Sequence, residues 1–129
     1  MTMTGAEATD VLTGLLHDWQ HAFNAHQPSQ MVALFSRDAH FQGISPRLRR
    51  GPRDIHEYYA RVTRGTTAQA EVLSAAQPSR TIVHGLAEVT FTAPTGDVHL
   101  VRLSIVAAQA EGRWLIHQYH AATRQPRSS

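Results

Sequence analysis

The stretch at residues 111–123, EGRWLIHQYHAAT, constrains the fold more than any other part of the chain. Its Glu-Gly opening indicates a turn, and the Trp, Leu, Ile and Tyr residues that follow are typical of a β-strand. A three-residue loop at 110–112 would pair this strand with the apolar run at 98–108. Polar side chains occupy much of the strand's second half. We therefore expect one face of the sheet to line a cavity.

Helical patterns fill the first half of the chain, and strand patterns fill the second. Apolar residues recur at helical spacing over residues 7–26, and shorter helices are predicted over 29–35 and from Pro52 onward. Strands are predicted over residues 38–43, 70–76, 81–93, 98–108 and 111–123, with a turn at 77–79. This order predicts an α+β fold in which helices cover one face of a bent antiparallel sheet. The predicted core contains Leu12, Leu15, Trp19, Phe23, Leu34, Phe35, Ile55 and Tyr59.

Length and composition set broad limits on the chain. Its 129 residues predict one domain, with an ordered core over about residues 7–123 and frayed tails. There is no cysteine, so neither a disulfide nor a thiolate site is expected. The first ten residues lack a signal-peptide pattern and no apolar run approaches membrane-spanning length, so we expect a cytoplasmic protein without a membrane partner. The arginine cluster at 47–53 lacks interleaved aromatic residues and predicts a solvated loop, with no nucleic-acid partner.

Three segments resemble the nuclear-transport-factor-2-like superfamily. Residues 22–43 resemble its helix, short helix and strand; residues 49–62 (RRGPRDIHEYYARV) resemble its Gly-x-x-x-Ile-x-x-Tyr-Tyr helix; and residues 111–122 resemble its closing Gly-x-Trp-x-Ile strand. Within the superfamily the chain is most similar to SnoaL-like proteins of the SgcJ/EcaC type, which often occur in bacterial secondary metabolism. The resemblance implies a curved sheet wrapped by three helices into a cone-shaped α+β barrel. It also implies pairing of two copies through the convex sheet face.

The resemblance does not assign a reaction, because the superfamily uses one pocket for isomerases, dehydratases, cyclases and non-catalytic domains. An ungapped alignment with its ketosteroid isomerases places their general-base aspartate on Gly43 and their oxyanion-hole tyrosine on Trp19. Their second oxyanion donor falls near Ser104. Since neither the base nor the acidic donor is present, steroid isomerase chemistry is not supported.

A candidate catalytic group follows from the predicted hairpin registers. A four-residue loop at 94–97 pairs Glu88 with Leu103, and the 110–112 loop pairs Leu103 with Tyr119. His117 then lies one row away on the same face. A carboxylate beside an imidazole supports proton transfer near neutral pH. We therefore predict His117 as the proton-transfer residue, Glu88 as the group that orients it and Tyr119 as a hydrogen-bond donor.

Further residues are predicted to line a ligand pocket. They are Trp19, His40, Gln42, Tyr58, Tyr59 and Leu103. Simple core packing is the alternative for the tyrosines and Trp19, and an exposed rim is the alternative for His40 and Gln42. His17 and His21 have metal-ligand spacing, but no third ligand lies nearby. With no phosphate-cradling glycine loop either, no metal and no cofactor are predicted.

The other face of the sheet is predicted to form a homodimer interface, because it collects the apolar residues Val89, Phe91, Leu100, Trp114 and Ile116. For function, the sequence indicates an enclosed, largely apolar pocket for a small apolar or aromatic molecule. Two classes stay open. One is a cofactor-independent acid–base enzyme of the isomerase, cyclase or dehydratase type, and the other is a non-catalytic ligand-binding or protein-association domain.

Overall fold

The computed structural model describes residues 5–124. Three helices and six strands follow one another as α1 (Gly5–Asn24), α2 (Pro28–Val32), β1 (Phe35–Gln42), β2 (Arg49–Arg50), α3 (Gly51–Ala60), β3 (Thr67–Ser79), β4 (Ile82–Thr92), β5 (Val98–Ala110) and β6 (Arg113–Thr123). The predicted α+β class is confirmed. The predicted frayed tails fall largely on residues 1–4 and 125–129, which lie outside the described part of the chain. Among the described residues, no helix is long and apolar enough to cross a membrane.

The six strands form one sheet in the order β2-β1-β6-β5-β4-β3. Strands β3 to β6 make the predicted antiparallel meander, whereas β1 joins β6 in parallel. The sheet is open, so the barrel implied by the resemblance does not close. The edge at β3 is blocked by α1: the Asn24 amide bonds both backbone groups of Ala68, and Gln20 accepts a hydrogen bond from the backbone N–H of Ala70. Side-chain amides thus satisfy backbone groups at the start of this edge strand, which could otherwise pair with another strand.

The helices bury their apolar stripes against the inner face of this sheet. Every residue of the predicted core is buried except Leu34, which is half-buried. Helix α1 packs along β3, and α3 packs on β1 and α2. At the start of α3, the Asp54 carboxylate accepts a hydrogen bond from the backbone N–H of Arg50, a donor that a helix start leaves without an intrahelical partner.

The predicted turn at residues 77–79 is wrong, because β3 continues through Pro78 to Ser79. Proline lacks the N–H that a central strand needs, but it is tolerated in an edge strand such as β3. The chain turns instead at Arg80 and Thr81.

Both predicted hairpin registers are also wrong. The β4–β5 loop has five residues, 93–97, so Glu88 pairs with Arg102 rather than Leu103. A shift of one residue moves a strand's side chains to the opposite face relative to its partner. The inner face of β4 therefore carries Val83, Ala87, Val89 and Phe91, and Glu88 lies on the outer face.

The β5–β6 loop has two residues, Glu111 and Gly112, both with positive φ angles (53° and 78°) that suit a type I′ turn. A bulge at His117 then adds one residue to β6, because Val106 pairs with Gln118 and Ala107 pairs with Ile116. The bulge reverses the faces of the first half of β6 relative to the second. Ile116, Tyr119 and Ala121 are consequently all buried, while His117 is exposed.

The residues predicted to form the dimer face are mostly internal. Val89 and Ile116 are fully buried, and Phe91 and Trp114 pack against the core. Only Leu100 of that set lies on the outer face, where it is half-buried. The error has the same origin as the register errors. Homodimer formation itself stays a prediction.

Candidate functional site

A cavity of about 200 Å³ lies between the helices and the inner face of the sheet. Its walls are aromatic and aliphatic, with few polar groups: Phe23, Ile44, Tyr58, Tyr59, Val62, Thr66, Phe91, Ala93, His99, Tyr119 and Ala121. The polar groups are three tyrosine hydroxyls, one threonine hydroxyl and one imidazole. None of these described wall residues carries a carboxylate. A mostly apolar wall with a few hydrogen-bonding groups is typical of a small-molecule site.

A buried hydrogen bond links α1 to the wall of this cavity. Trp19 is fully buried, and its indole Nε1 donates to the Tyr59 hydroxyl at 2.9 Å. The Tyr59 and Tyr119 phenols are also close enough to affect each other's pKa. Because the indole N–H can only donate, the Tyr59 oxygen accepts from it, and the Tyr59 proton is left for another acceptor. Tyr119 lines the same cavity, where its hydroxyl can donate to a ligand.

The phenols of Tyr59 and Tyr119 stay neutral over a wide pH range. Burial raises the pKa of Tyr59 well above its ordinary value of 10.0, and the nearby Tyr119 adds to that rise. Burial likewise raises the pKa of Tyr119, reinforced by Tyr58 and partly offset by the hydrogen bond from Tyr59. The charged phenolate is disfavoured because it would lose its hydration. Near neutral pH these groups are hydrogen-bond donors and not proton-transfer bases.

Aromatic packing fixes the positions of the tyrosines. The rings of Tyr119 and Phe41 stack with their centroids 4.6 Å apart and their planes 10° apart. The ring of Tyr58 meets Phe41 edge-on at 4.8 Å. Phe41 itself is buried on β1. One ring therefore supports both tyrosines from the sheet side.

His99 is the imidazole on the cavity wall, and the sequence interpretation missed it. His99 lies near the start of β5, where it pairs with Phe91 of β4, and it is exposed to solvent. A signal was present in the sequence, because His99 has the same strand parity as the buried residues Val101, Leu103 and Ile105. Imidazole is the side chain most often used for proton transfer near neutral pH, so His99 is the candidate for that role in the cavity.

The predicted catalytic group is not brought together. On the outer face, Glu88 accepts hydrogen bonds from Arg102 at 3.3 Å and Arg124 at 3.0 Å. His117 is exposed, and its Nδ1 lies 2.7 Å from the Ser36 hydroxyl at the bulge. Of the three predicted residues, only Tyr119 lines the cavity.

The predicted ligand-lining residues divide in a similar way. Tyr58 and Tyr59 line the cavity, whereas Trp19 and Leu103 are fully buried and do not line it. His40 is exposed and Gln42 half-buried on β1, and neither lines the cavity. Cavity-wall residues that the sequence interpretation did not select for the site are Phe23, Ile44, Val62, Thr66, Phe91, Ala93, His99 and Ala121.

No group of three or more His, Cys, Asp or Glu side chains that could hold a metal ion occurs among residues 5–124. The helical pair His17 and His21 thus has no further ligand within the described structure. The polar groups of the cavity are phenol and hydroxyl donors with one imidazole, a set suited to binding an organic ligand.

These features define a class of small α+β domain in which three helices and a curved, open sheet surround a mostly apolar cavity. The chain belongs to the SnoaL-like domain family, whose model matches residues 16–124. The resemblance found in the sequence is thereby confirmed. No curated protein sequence matches the chain.

Solved structures share the fold at low sequence identity. A ketosteroid isomerase-like protein from Erwinia carotovora atroseptica matches with a TM-score of 0.78 and 19% identity, over 93% of this chain and 98% of that one. A hexachlorocyclohexane dehydrochlorinase, LinA-type3, from Novosphingobium barchaimii matches with a TM-score of 0.76 and 13% identity, over 90% and 86%. A cystatin-like domain of unknown function from Nostoc punctiforme matches with a TM-score of 0.80 and 16% identity, over 95% and 81%. At these identities the likeness concerns the fold alone.

Proposed function

We propose that this chain binds a small, largely apolar ring compound in the cavity beside Tyr119, and that the compound accepts a hydrogen bond from the Tyr119 hydroxyl. The observation that carries the proposal is the set of tyrosine hydroxyls on the wall of an otherwise apolar cavity, with Tyr59 held at 2.9 Å by the indole N–H of Trp19. A buried donor without a partner costs about 1–3 kcal/mol. A ligand with an acceptor oxygen would remove that cost.

The dimensions of the cavity limit the ligand. A volume of about 200 Å³ is below the roughly 300–1,000 Å³ of clefts that hold drug-sized molecules. One or two fused rings with few substituents match this space. The aromatic walls, including Phe23 and Phe91, offer flat apolar surfaces for such rings.

Acid–base chemistry on this ligand is the activity that we propose, of the isomerase, cyclase or dehydratase type and within bacterial secondary metabolism. His99 would take a proton from a carbon next to a carbonyl group. Tyr119 would donate a hydrogen bond to the carbonyl oxygen as negative charge develops there. The proton would return to a different carbon in an isomerisation, or a leaving group would depart in an elimination. The dehydrochlorinase among the structural neighbours supports the second type by analogy of fold.

Non-catalytic binding or protein association is the second candidate function. It is favoured by the lack of a carboxylate among the described cavity walls and by the solvent exposure of His99. His117 and Glu88 belong to neither version of the proposal, because both lie outside the cavity.

The binding proposal is tested with a panel of one- and two-ring ketones and phenols, measured by thermal shift and native mass spectrometry. We expect several compounds to bind the wild type and to bind Ala93→Phe at least 10-fold more weakly. The matched control is Ala108→Phe, which adds the same volume to a half-buried position on the outer face of β5. A panel without binders, or binders unaffected by Ala93→Phe, would contradict the proposal.

A further inference from the structure

We infer that Tyr58 is a second hydrogen-bond donor of the cavity and that Gly43 and Arg49 are positioning residues that hold it in place. The ligand is then a small ring compound whose carbonyl or phenolic oxygen atoms accept hydrogen bonds from both Tyr58 and Tyr119. This inference rests on the proposed function, because it names the substrate class and a further specificity residue of the same cavity.

The hydrogen bond made by Tyr58 fixes which way its proton points. The backbone N–H of Ile44 donates to the Tyr58 hydroxyl at 3.1 Å. This is the one hydrogen bond of the Tyr58 hydroxyl among the described residues, and in it the oxygen is the acceptor. The phenol proton is therefore available to another acceptor, and Tyr58 lines the cavity. Tyr58 and Tyr119 thus both line the cavity with a phenol group that can donate to a ligand.

Gly43 is required for this placement because it has no side chain. A Cβ atom at position 43 would overlap Cζ and the hydroxyl oxygen of Tyr58 and would stand 2.7 Å from Cε2. Gly43 is buried and does not have a positive φ angle, so space and not backbone conformation explains the glycine. The alignment with ketosteroid isomerases placed their catalytic aspartate at this position. In this chain the phenol of residue 58 occupies the space that a side chain at residue 43 would need.

Arg49 holds the ring of Tyr58 from another side. Its guanidinium carbon lies 5.5 Å from the centre of that ring, a cation–π distance. The residue is 7% exposed, and Nη1 donates to the backbone oxygen and the carboxylate of Asp54 at 3.2 and 3.1 Å. Because Asp54 sits in the first turn of α3, the cation is fixed to the helix that carries Tyr58.

Two donors in one mostly apolar cavity favour one type of ligand. Tyr58 and Tyr119 both pack on Phe41, and their phenol groups are close enough to interact electrostatically. A bound ligand without an oxygen acceptor would displace water from the two phenol groups and give their protons no partner. A site of this kind discriminates strongly against analogues that lack the acceptor.

The experiment compares 1-indanone with indane, which has the same rings and no oxygen, by isothermal titration calorimetry. The measured quantity is the affinity for 1-indanone divided by the affinity for indane. We expect Tyr58→Phe to weaken the binding of 1-indanone about 10-fold, the upper range for one lost hydrogen bond. The affinity for indane should stay unchanged. Gly43→Ala should give a similar loss, and the double variant should lose little more than either single one, since both changes remove the same contact.

Controls separate positioning from general structural damage. Gly14→Ala also adds a methyl group to a glycine, but nothing lies within 4 Å of that position, so the ratio should not change. Arg49→Met should lower the ratio and Arg49→Lys should partly restore it, since lysine retains the cation. If Gly43→Ala folds poorly, Tyr58→Phe still decides the role of Tyr58.

The outcomes distinguish this inference from the proposed function. If 1-indanone binds and Ala93→Phe blocks it, but Tyr58→Phe and Gly43→Ala leave the ratio unchanged, the inference is overturned and the cavity remains the binding site. If neither compound binds the wild type, or Ala93→Phe has no effect, the proposed function fails and the inference fails with it.

Discussion

Trp19 on α1 and Tyr59 on α3 are joined by a buried hydrogen bond of 2.9 Å between the indole nitrogen and the phenol oxygen. The two residues are 40 positions apart in sequence, so the bond fixes the two helices relative to each other. It also makes the Tyr59 oxygen an acceptor, so the Tyr59 proton is left for another acceptor. One contact therefore contributes both to stability and to the donor that faces the cavity.

Tyr59→Phe should lower the free energy of unfolding by about 1–3 kcal/mol. The change keeps the ring but leaves the buried N–H of Trp19 without an acceptor, and that is the usual cost of an unpaired buried donor. Urea unfolding followed by tryptophan fluorescence measures the difference. Tyr58→Phe is the matched control: its hydroxyl pairs with the Ile44 N–H in an exposed hydrogen bond, where water can replace it. Equal stability losses in the two variants would count against a structural role for the indole–phenol bond.

The free energy of unfolding should fall as the pH rises above about 10. In the folded state the pKa values of Tyr59 and Tyr119 are raised by burial, whereas in the unfolded chain they are near 10. Above pH 10 the unfolded chain therefore binds fewer protons than the folded one. Each of the two tyrosines contributes a slope of up to about 1.4 kcal/mol per pH unit. Their stabilising effect is complete below pH 10 and is lost as the pH rises toward their folded-state pKa values.

The composition makes this pH dependence easy to assign. The chain has three tyrosines, no lysine and no cysteine, so few other side chains titrate near pH 10. Urea unfolding between pH 8 and pH 11 gives the slope. Tyr119→Phe should reduce this slope by the contribution of one tyrosine, up to about 1.4 kcal/mol per pH unit. A stability that is flat across pH 10, or a slope unchanged in Tyr119→Phe, would show that these phenols ionise as easily in the folded protein as in the unfolded chain.

The sequence predicted the elements and the core much better than the site. Helical spacing identified α1 and its buried stripe because packing depends on a repeat that survives small boundary errors. The site depended on two hairpin loops, and each was wrong by one residue. The loop before β5 has five residues and not four, and this alone moved Glu88 to the outer face.

The β-bulge at His117 could not be predicted from the residues around it. It exchanges the faces of Leu115 and Ile116 while leaving Tyr119 and Ala121 on the inner face, where they were expected. A bulge is stabilised by contacts from outside its own strand, here including the Ser36 hydroxyl of β1. Local sequence patterns carry no information about such contacts.

A homodimer through the outer face of the sheet remains our expectation, with a corrected set of residues. That face presents Leu86, which is 42% exposed, with Leu100 and Val106 beside the ion-paired Glu88. Apolar side chains grouped on one sheet face can mark a contact surface. Leu86→Arg should convert a dimer to a monomer at micromolar concentration, as measured by light scattering. Leu48→Arg, at a 75% exposed loop position, should not change the mass. A wild-type monomer would refute the expectation directly.

The last prediction separates the histidine chosen from the sequence from the histidine that the cavity contains. His99 lines the cavity, while His117 lies on the exposed bulge beside Ser36. If the protein is an acid–base enzyme, His99→Gln should lower turnover by about 10²–10⁴-fold, the usual contribution of a positioned general acid or base. Ligand affinity should change much less, because glutamine keeps polar character and similar length. His117→Gln is the matched control and should leave turnover unchanged. A large loss in His117→Gln would support the sequence-based assignment, and unchanged turnover in both variants would exclude histidine as the proton-transfer group.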